Sequence, residues 1–245
     1  MDLIKILCLE VNQLEQTLRI TNVLSDPTRY YIYQYITKRH QDVTVQEIAD
    51  SFSIHPNVAR LHLSKLEDVN MLKSETKKTG KGGRPSRLYR LSDDVIQLNF
   101  PFRDYQLLSK IAIETMVSLG EAGKQALYIT GKKFGREVIE QEVNRLHQST
   151  ELTFEQKINI LKHASTIAGF YPEFEINEEE SKIYFQIFNC PFKEIAEEHT
   201  STVCNMHKEF LKGMFESLFD SIVLEEKQNL IAGCDSCAYH AIVTK

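Results

Sequence analysis

Apolar residues recur every three to four positions from the start of the chain. Leu7, Val11, Leu14 and Leu18 form one stripe and predict an amphipathic helix to about Val23. Ser25-Asp26-Pro27 then supplies a cap and a proline suited to a first helical turn. A second helix follows over 30–36, stopped near Lys38-Arg39-His40. Thr44, with Glu47 three residues on, reads as a capping box that opens a short helix, with Ile48, Ala49 and Phe52 on one face. After a break at Ser53-Ile54, His55-Pro56-Asn57 begins a third helix that runs to about Asn70. Its inner face carries Ala59, Leu63 and Leu66, and its outer face Asn57, Arg60, Leu61 and Ser64. A short helix, a tight turn and a longer helix with a polar, basic outer face make the helix-turn-helix pattern.

The period then changes to two. Residues 72–76 and 87–91 alternate as two strands around Lys77-Lys78-Thr79-Gly80-Lys81-Gly82-Gly83-Arg84-Pro85-Ser86. A glycine-rich basic hairpin directly after such a helix is a wing, free to approach a polyanion closely. Residues 93–102 connect to a second region where helical periodicity resumes through Leu107, Leu108, Ile111, Ile113 and Met116. A helix over 121–147 is expected to be interrupted at 131–135, where Gly131 and Gly135 permit close helix approach or equally mark a tolerated weak point, and another covers 154–168. Strands follow at 170–176 and 182–188, a helical stretch from Pro191, a helix opened by Cys204, and a terminal strand at 238–243. The fold class is α+β, mostly α. The expected domains are a winged helix-turn-helix over residues 1–95 and a sensor and dimerisation domain over 96–245.

Charge divides the chain at the same place. The net charge is −5, yet residues 1–95 hold 14 Lys+Arg against 12 Asp+Glu and the remainder 15 against 22. Within 73–90, seven basic side chains stand against Glu75 alone, an electrostatic footprint for double-stranded DNA. His55, Asn57 and Arg60 are placed to meet base edges in the major groove. Ser64, Lys65, Lys78, Lys81 and Arg87 are placed for phosphate, and Arg84 for the minor groove. No window approaches eighteen consecutive apolar residues and the N-terminus lacks a secretory pattern, so a cytoplasmic protein with no membrane partner is expected.

Of five cysteines, Cys8 sits in the apolar N-terminal helix and reads as a buried small hydrophobe. Cys190, Cys204, Cys234 and Cys237 fall in the last 56 residues. In a reducing compartment such a cluster, with its C-x2-C pair, points to metal ligation. An iron–sulfur cluster, zinc and a metal-free thiol switch all remain open, as does the fourth ligand, for which Asp235, His199, His207 and His240 are local alternatives to Cys234. No nucleophile elbow, phosphate loop or nucleotide fingerprint is present, so a regulator is expected rather than an enzyme.

Two stretches carry a family resemblance. Asp26-Pro27-Thr28-Arg29 with Arg60-Leu61-His62-Leu63-Ser64-Lys65-Leu66 resembles the winged-helix repressors of the arsenic-repressor-like superfamily. Gly82-Gly83-Arg84-Pro85-Ser86-Arg87-Leu88-Tyr89-Arg90-Leu91 looks more specifically like the wing of the Suf-operon repressor family, bacterial regulators of iron–sulfur assembly genes. Phe188-Asn189-Cys190-Pro191-Phe192, Val203-Cys204 and Cys237-Ala238-Tyr239 look like that family's cluster-binding region. The resemblance implies an iron–sulfur cluster on Cys190, Cys204 and Cys237, and repression by the loaded form. The late cysteine spacing departs from the family at Cys234. A homodimer on a pseudo-palindromic operator is expected, its contact made either by the first helix or by the long C-terminal helices.

Overall fold

The computed structural model describes residues 3–77, 86–98, 101, 103–146, 152–177 and 182–243, with side chains from residue 14 onward. The chain divides into two compact units, Met1–Arg103 and Asp104–Lys245.

In the first unit, α1 (Leu3–Leu24) and α2 (Pro27–Arg39) meet at Asp26, whose carboxylate accepts the Arg29 amide at 3.1 Å as N-cap. Strand β1 (Val43–Thr44) leads into α3 (Val45–Phe52). Thr44 Oγ1 accepts the Glu47 amide at 3.1 Å, but the capping box is only half made. The Glu47 carboxylate turns instead to Arg39 at 2.8 Å and to the Tyr35 hydroxyl. Ser53 closes α3 in the left-handed region at φ 52° and makes the turn into α4 (Pro56–Glu67), three residues shorter than the pattern predicts. Strands β2 (Leu72–Lys77) and β3 (Ser86–Leu91) pair antiparallel, and β1 adds to β3, giving the order β1-β3-β2. Ile32, Ile36, Ile48, Ala59, Leu63, Leu66 and Tyr89 fill the core, each essentially inaccessible to water or nearly so. Arg84, Lys78, Lys81 and the Cys8 side chain lie outside the described residues.

The second unit packs four helices and two helical turns on a four-stranded antiparallel sheet. Its helices are α5 (Tyr105–Ser118), α6 (Glu121–Arg145), α7 (Phe154–Ile167), the short α8 (Lys193–Glu198) and α9 (Thr200–Glu216), with a 3₁₀ turn at Leu230–Ala232. The sheet runs β4 (Pro172–Asn177), β5 (Lys182–Ile187), β7 (Cys237–Val243) and β6 (Ile222–Gln228). Two expectations are corrected here. Helix α6 is continuous through 131–135, because its glycines are seats for α9. A Cβ on Gly135 would lie 1.9 Å from the Phe210 carbonyl oxygen, and one on Gly213 of α9 would lie 2.0 Å from that of Lys132. Lys132 and Arg136 then donate to Glu216 of α9 at 2.9 and 2.8 Å, fastening the same seam. The second is the helix expected to open at Cys204, which begins at Thr200. Strand β6 is not expected from the pattern. The run Glu225-Glu226-Lys227 hides its alternation, and only pairing with β7 along its length makes it a strand.

Glu142 is a buried carboxylate on α6. Arg145 donates to it at 2.7 and 3.0 Å, and His163 of α7 approaches at 2.8 Å, so one charge ties α6 to α7. The Arg145 hydrogen bonds hold its carboxyl below the usual range, with His163 adding to the effect. Among the described residues, no helix is long and apolar enough to cross a membrane.

Candidate DNA-binding face and thiol cluster

Leu63, Leu66 and Ala59 anchor α4 in the core, which leaves Asn57, Arg60 and Lys65 exposed and Ser64 half-buried on the far side. Arg60 donates to Asn57 Oδ1 at 3.2 Å, so the two side chains stand together at the helix start. His55 is the N-cap of α4, its Nδ1 accepting the Asn57 amide at 3.2 Å. One of its two ring nitrogens is thereby committed to the backbone. His62, in the stretch that resembles the arsenic-repressor-like proteins, points inward. Its Nδ1 stands 3.8 Å from the Asp26 carboxylate, and burial lowers its pKa from the ordinary value.

Arg60 of α4, Thr44 at the start of α3, and Thr76, Ser86 and Arg87 of the hairpin line one open groove. The helix and the base of the wing therefore share a surface. Arg87 is itself engaged. It donates to both Glu67 carboxylate oxygens at 2.9 and 2.7 Å and to Ser74 at 2.7 Å, with its guanidinium 5.4 Å from the Tyr89 ring centroid. This fork joins the wing to the end of α4, and nothing in the sequence pattern points to Glu67 as a partner.

Four segments of the second unit bring the cysteines into one neighbourhood. Cys190 follows β5, Cys204 lies on α9, Cys234 follows the 3₁₀ turn, and Cys237 opens β7 in register with Ile187. Cys190 and Cys237 are buried, Cys204 is half-buried and Cys234 is exposed. Cys190 feels the charges of Cys237 and Cys204, and Cys237 those of Cys204 and Cys234. Burial pushes the Cys190 thiol up to about 11 and raises those of Cys204 and Cys237. Against burial, each of the three has a donor that lowers it: the Phe192 amide on Cys190, the Asn229 side chain on Cys204, and the Leu230 amide on Cys237 Sγ at 3.3 Å.

Such N–H groups aimed at sulfur suit coordinated thiolates, while no cationic side chain is among the main influences on the three. The donor set thus fits a thiophilic metal that would supply the missing positive charge. No three thiols lie close enough to share a single ion as they stand among the described residues. The trio that does, Glu114, Glu198 and His199, is largely exposed, and Glu198 already accepts from Lys110 at 2.9 Å. Sequence reasoning missed two close participants. Asn229 contacts Cys204, and Glu226, which accepts from Asn229 at 3.0 Å, acts on both Cys204 and Cys237. Both lie on or beside the hidden strand β6.

Residues 24–75 match the family described as Helix-turn-helix domain. No curated protein matches the chain. Among solved structures, trafficking protein particle complex subunit 3 from Naegleria fowleri, covalently bound to palmitic acid, is 16% identical with TM-score 0.41. The overlap covers 57% of this chain and 97% of that one. The phenol-responsive sensory domain of the transcription activator PoxR, with phenol, is 17% identical with TM-score 0.41, over 74% of this chain and 88% of that one. Bacillus subtilis PadR in complex with operator DNA is 13% identical with TM-score 0.24, over 60% and 96%. The family match spans α2 to β2, the segment whose helices form the exposed Asn57–Arg60 face. The first unit thus carries the helix-turn-helix domain of a DNA-binding transcription regulator.

Proposed function

We propose that this regulator reads double-stranded operator DNA through α4 and its wing, and that a thiolate-held metal centre in the second unit sets its affinity. The observation that carries this reading is the shared neighbourhood of Cys190, Cys204 and Cys237, each with an N–H group directed at its sulfur. By resemblance to the Suf-operon repressor family the centre is an iron–sulfur cluster, whose loss to oxidants or nitric oxide is the signal, and the loaded cytoplasmic protein represses. Cys190, Cys204 and Cys237 would hold the group, the first and last of them buried away from water. Cys234 is exposed on its turn, within electrostatic reach of Cys237.

Operator reading by a helix-turn-helix calls for two copies about one helical turn apart, and so a homodimer on a pseudo-palindrome. Helix α5 has no buried residue and exposes Tyr105, Leu107, Leu108, Ile111 and Leu119. Tyr105, Leu108, Ala112 and Leu119 repeat at heptad spacing on an uncharged face, which suits pairing with its own copy.

A second reading is zinc at the same thiols. It is favoured by the Glu226 carboxylate beside Cys204 and Cys237, since zinc accepts oxygen together with sulfur. Anaerobic purification with iron, zinc and acid-labile sulfide analysis separates the two. Iron, sulfide and a visible chromophore that vanish in Cys190→Ser support the cluster. Zinc with no visible band moves the reading to zinc, and a metal-free protein overturns both.

A further inference from the structure

His207 is the buried polar group of the second unit that the foregoing leaves unexplained. Its ring is 3% exposed, and Nε2 is buried without a hydrogen-bond partner. Nδ1 faces Cys190 Sγ at 3.9 Å. Phe170, Phe192 and Phe210 surround the ring with centroids at 5.1, 5.2 and 6.4 Å. Nδ1 is thus the ring nitrogen turned toward a thiol, and Nε2 is left among the aromatic rings. Histidine binds metals through the lone pair of its neutral ring.

Two placements link it to the thiols. His207 follows Cys204 by three residues on α9, so both side chains leave the same side of the helix. Cys190, its contact, is also the thiol that feels both Cys204 and Cys237. A tetrahedral metal with metal–sulfur and metal–nitrogen bonds of about 2.3 and 2.0–2.1 Å holds the two donors about 3.6 Å apart. The Cys190–His207 separation is already within a few tenths of an ångström of that, while Cys204 and Cys237 would have to draw in, since no three of these four donors share one ion site as they stand.

We infer that His207 is the fourth protein ligand of the centre, completing a set of three thiolates and one imidazole with Cys190, Cys204 and Cys237. Cys234 then lies outside the set. This rests on the metal-centre reading above. An imidazole in place of a fourth thiolate removes one negative charge from a buried site, and in iron–sulfur centres histidine ligation raises the reduction potential.

X-ray absorption at the edge of the bound metal, iron or zinc, tests the assignment on the full chain prepared anaerobically. The wild type should show imidazole scattering. His207→Cys should keep the metal, lose that scattering and, for iron, fall in reduction potential. His207→Phe, which refills the aromatic surroundings, should retain metal at least about tenfold less well while circular dichroism stays native. Cys234→Ser should change none of these. A metal-loaded wild type without imidazole scattering, a spectrum unaltered in His207→Cys, or metal loss in Cys234→Ser overturns the assignment and leaves the metal-centre reading standing. A wild type that binds neither iron nor zinc overturns both.

Discussion

The two units carry their chemistry in opposite ways. In the first it faces outward: Asn57, Arg60 and Lys65 are neighbours in sequence, displayed by a helix whose other side is core. In the second it faces inward, at a meeting of β5, α9, β6 and β7 that no stretch of sequence contains. Exposed charge is cheap and serves a polyanion that arrives from solution. Buried thiols stay neutral, as the raised Cys190, Cys204 and Cys237 do, and become thiolates only when a cation joins them. Their two buried histidines show the same contrast. Each has a buried ring nitrogen without a hydrogen-bond partner, but His62 faces the Asp26 carboxylate at 3.8 Å, whereas His207 faces a thiol and aromatic rings.

The largest expected effect would break the second site by its scaffold. Gly135→Val drives a side chain into the Phe210 carbonyl of α9 and should cost about 3 kcal/mol or more. Calorimetry should then show the second unit's transition lost or shifted far down while that of the helix-turn-helix remains. A common collapse would mean that the units are not separately built.

Next comes a reciprocal pair. Arg60→Ala should weaken specific DNA binding by about 1–3 kcal/mol and leave metal content unchanged. Cys190→Ser should abolish metal binding and alter DNA affinity only through coupling, which is typically about 1–3 kcal/mol. Titrating both variants with DNA and assaying bound metal checks the pair, and equal effects of either mutation on both readouts would dissolve the contrast.

A finer test separates two arginines of the wing that sequence treats alike. Arg84→Ala should lower the slope of binding against salt by about 1, the signature of a cation lost from the DNA surface. Arg87→Ala should leave that slope nearly unchanged, because its charge is already spent on Glu67. Salt titrations of the two variants side by side decide it.

The smallest effect is a pH dependence within the second unit. Glu142 ionises more readily folded than unfolded, so its stabilisation is present above its ordinary value of 4.5 and is lost as pH falls through the lower folded value. The Tm of Glu142→Gln should therefore be lower than wild type at neutral pH, and the difference should shrink on acidification below pH 4.5. A difference that grows on acidification would contradict the pairing with Arg145.

Which parts were legible in the sequence follows from how local each one is. The caps at Asp26 and Thr44 and the two-sided pattern of α4 act within a few residues, so the helix-turn-helix reads directly from the chain. Glycines at 131 and 135 suggest a break when read along α6 alone, and only Phe210 of α9 shows them to be a seam. Strand β6 was illegible because an edge strand exposes Glu225, Glu226 and Lys227 to solvent and keeps few apolar positions. Without it, Glu226 and Asn229 had no route to the cysteines. His207 was visible as one histidine among several, and its burial against Cys190 is a property of the packing alone.

The central claim is that the thiol cluster governs the DNA-binding face. The most direct measurement is the affinity of the full-length protein for a duplex selected from random sequence, taken anaerobically with the metal in place and again after its removal by chelation. A change of about 5- to 150-fold, lost in Cys190→Ser, is the predicted result. Equal affinity in the two states, in a protein shown to bind the metal, would contradict it.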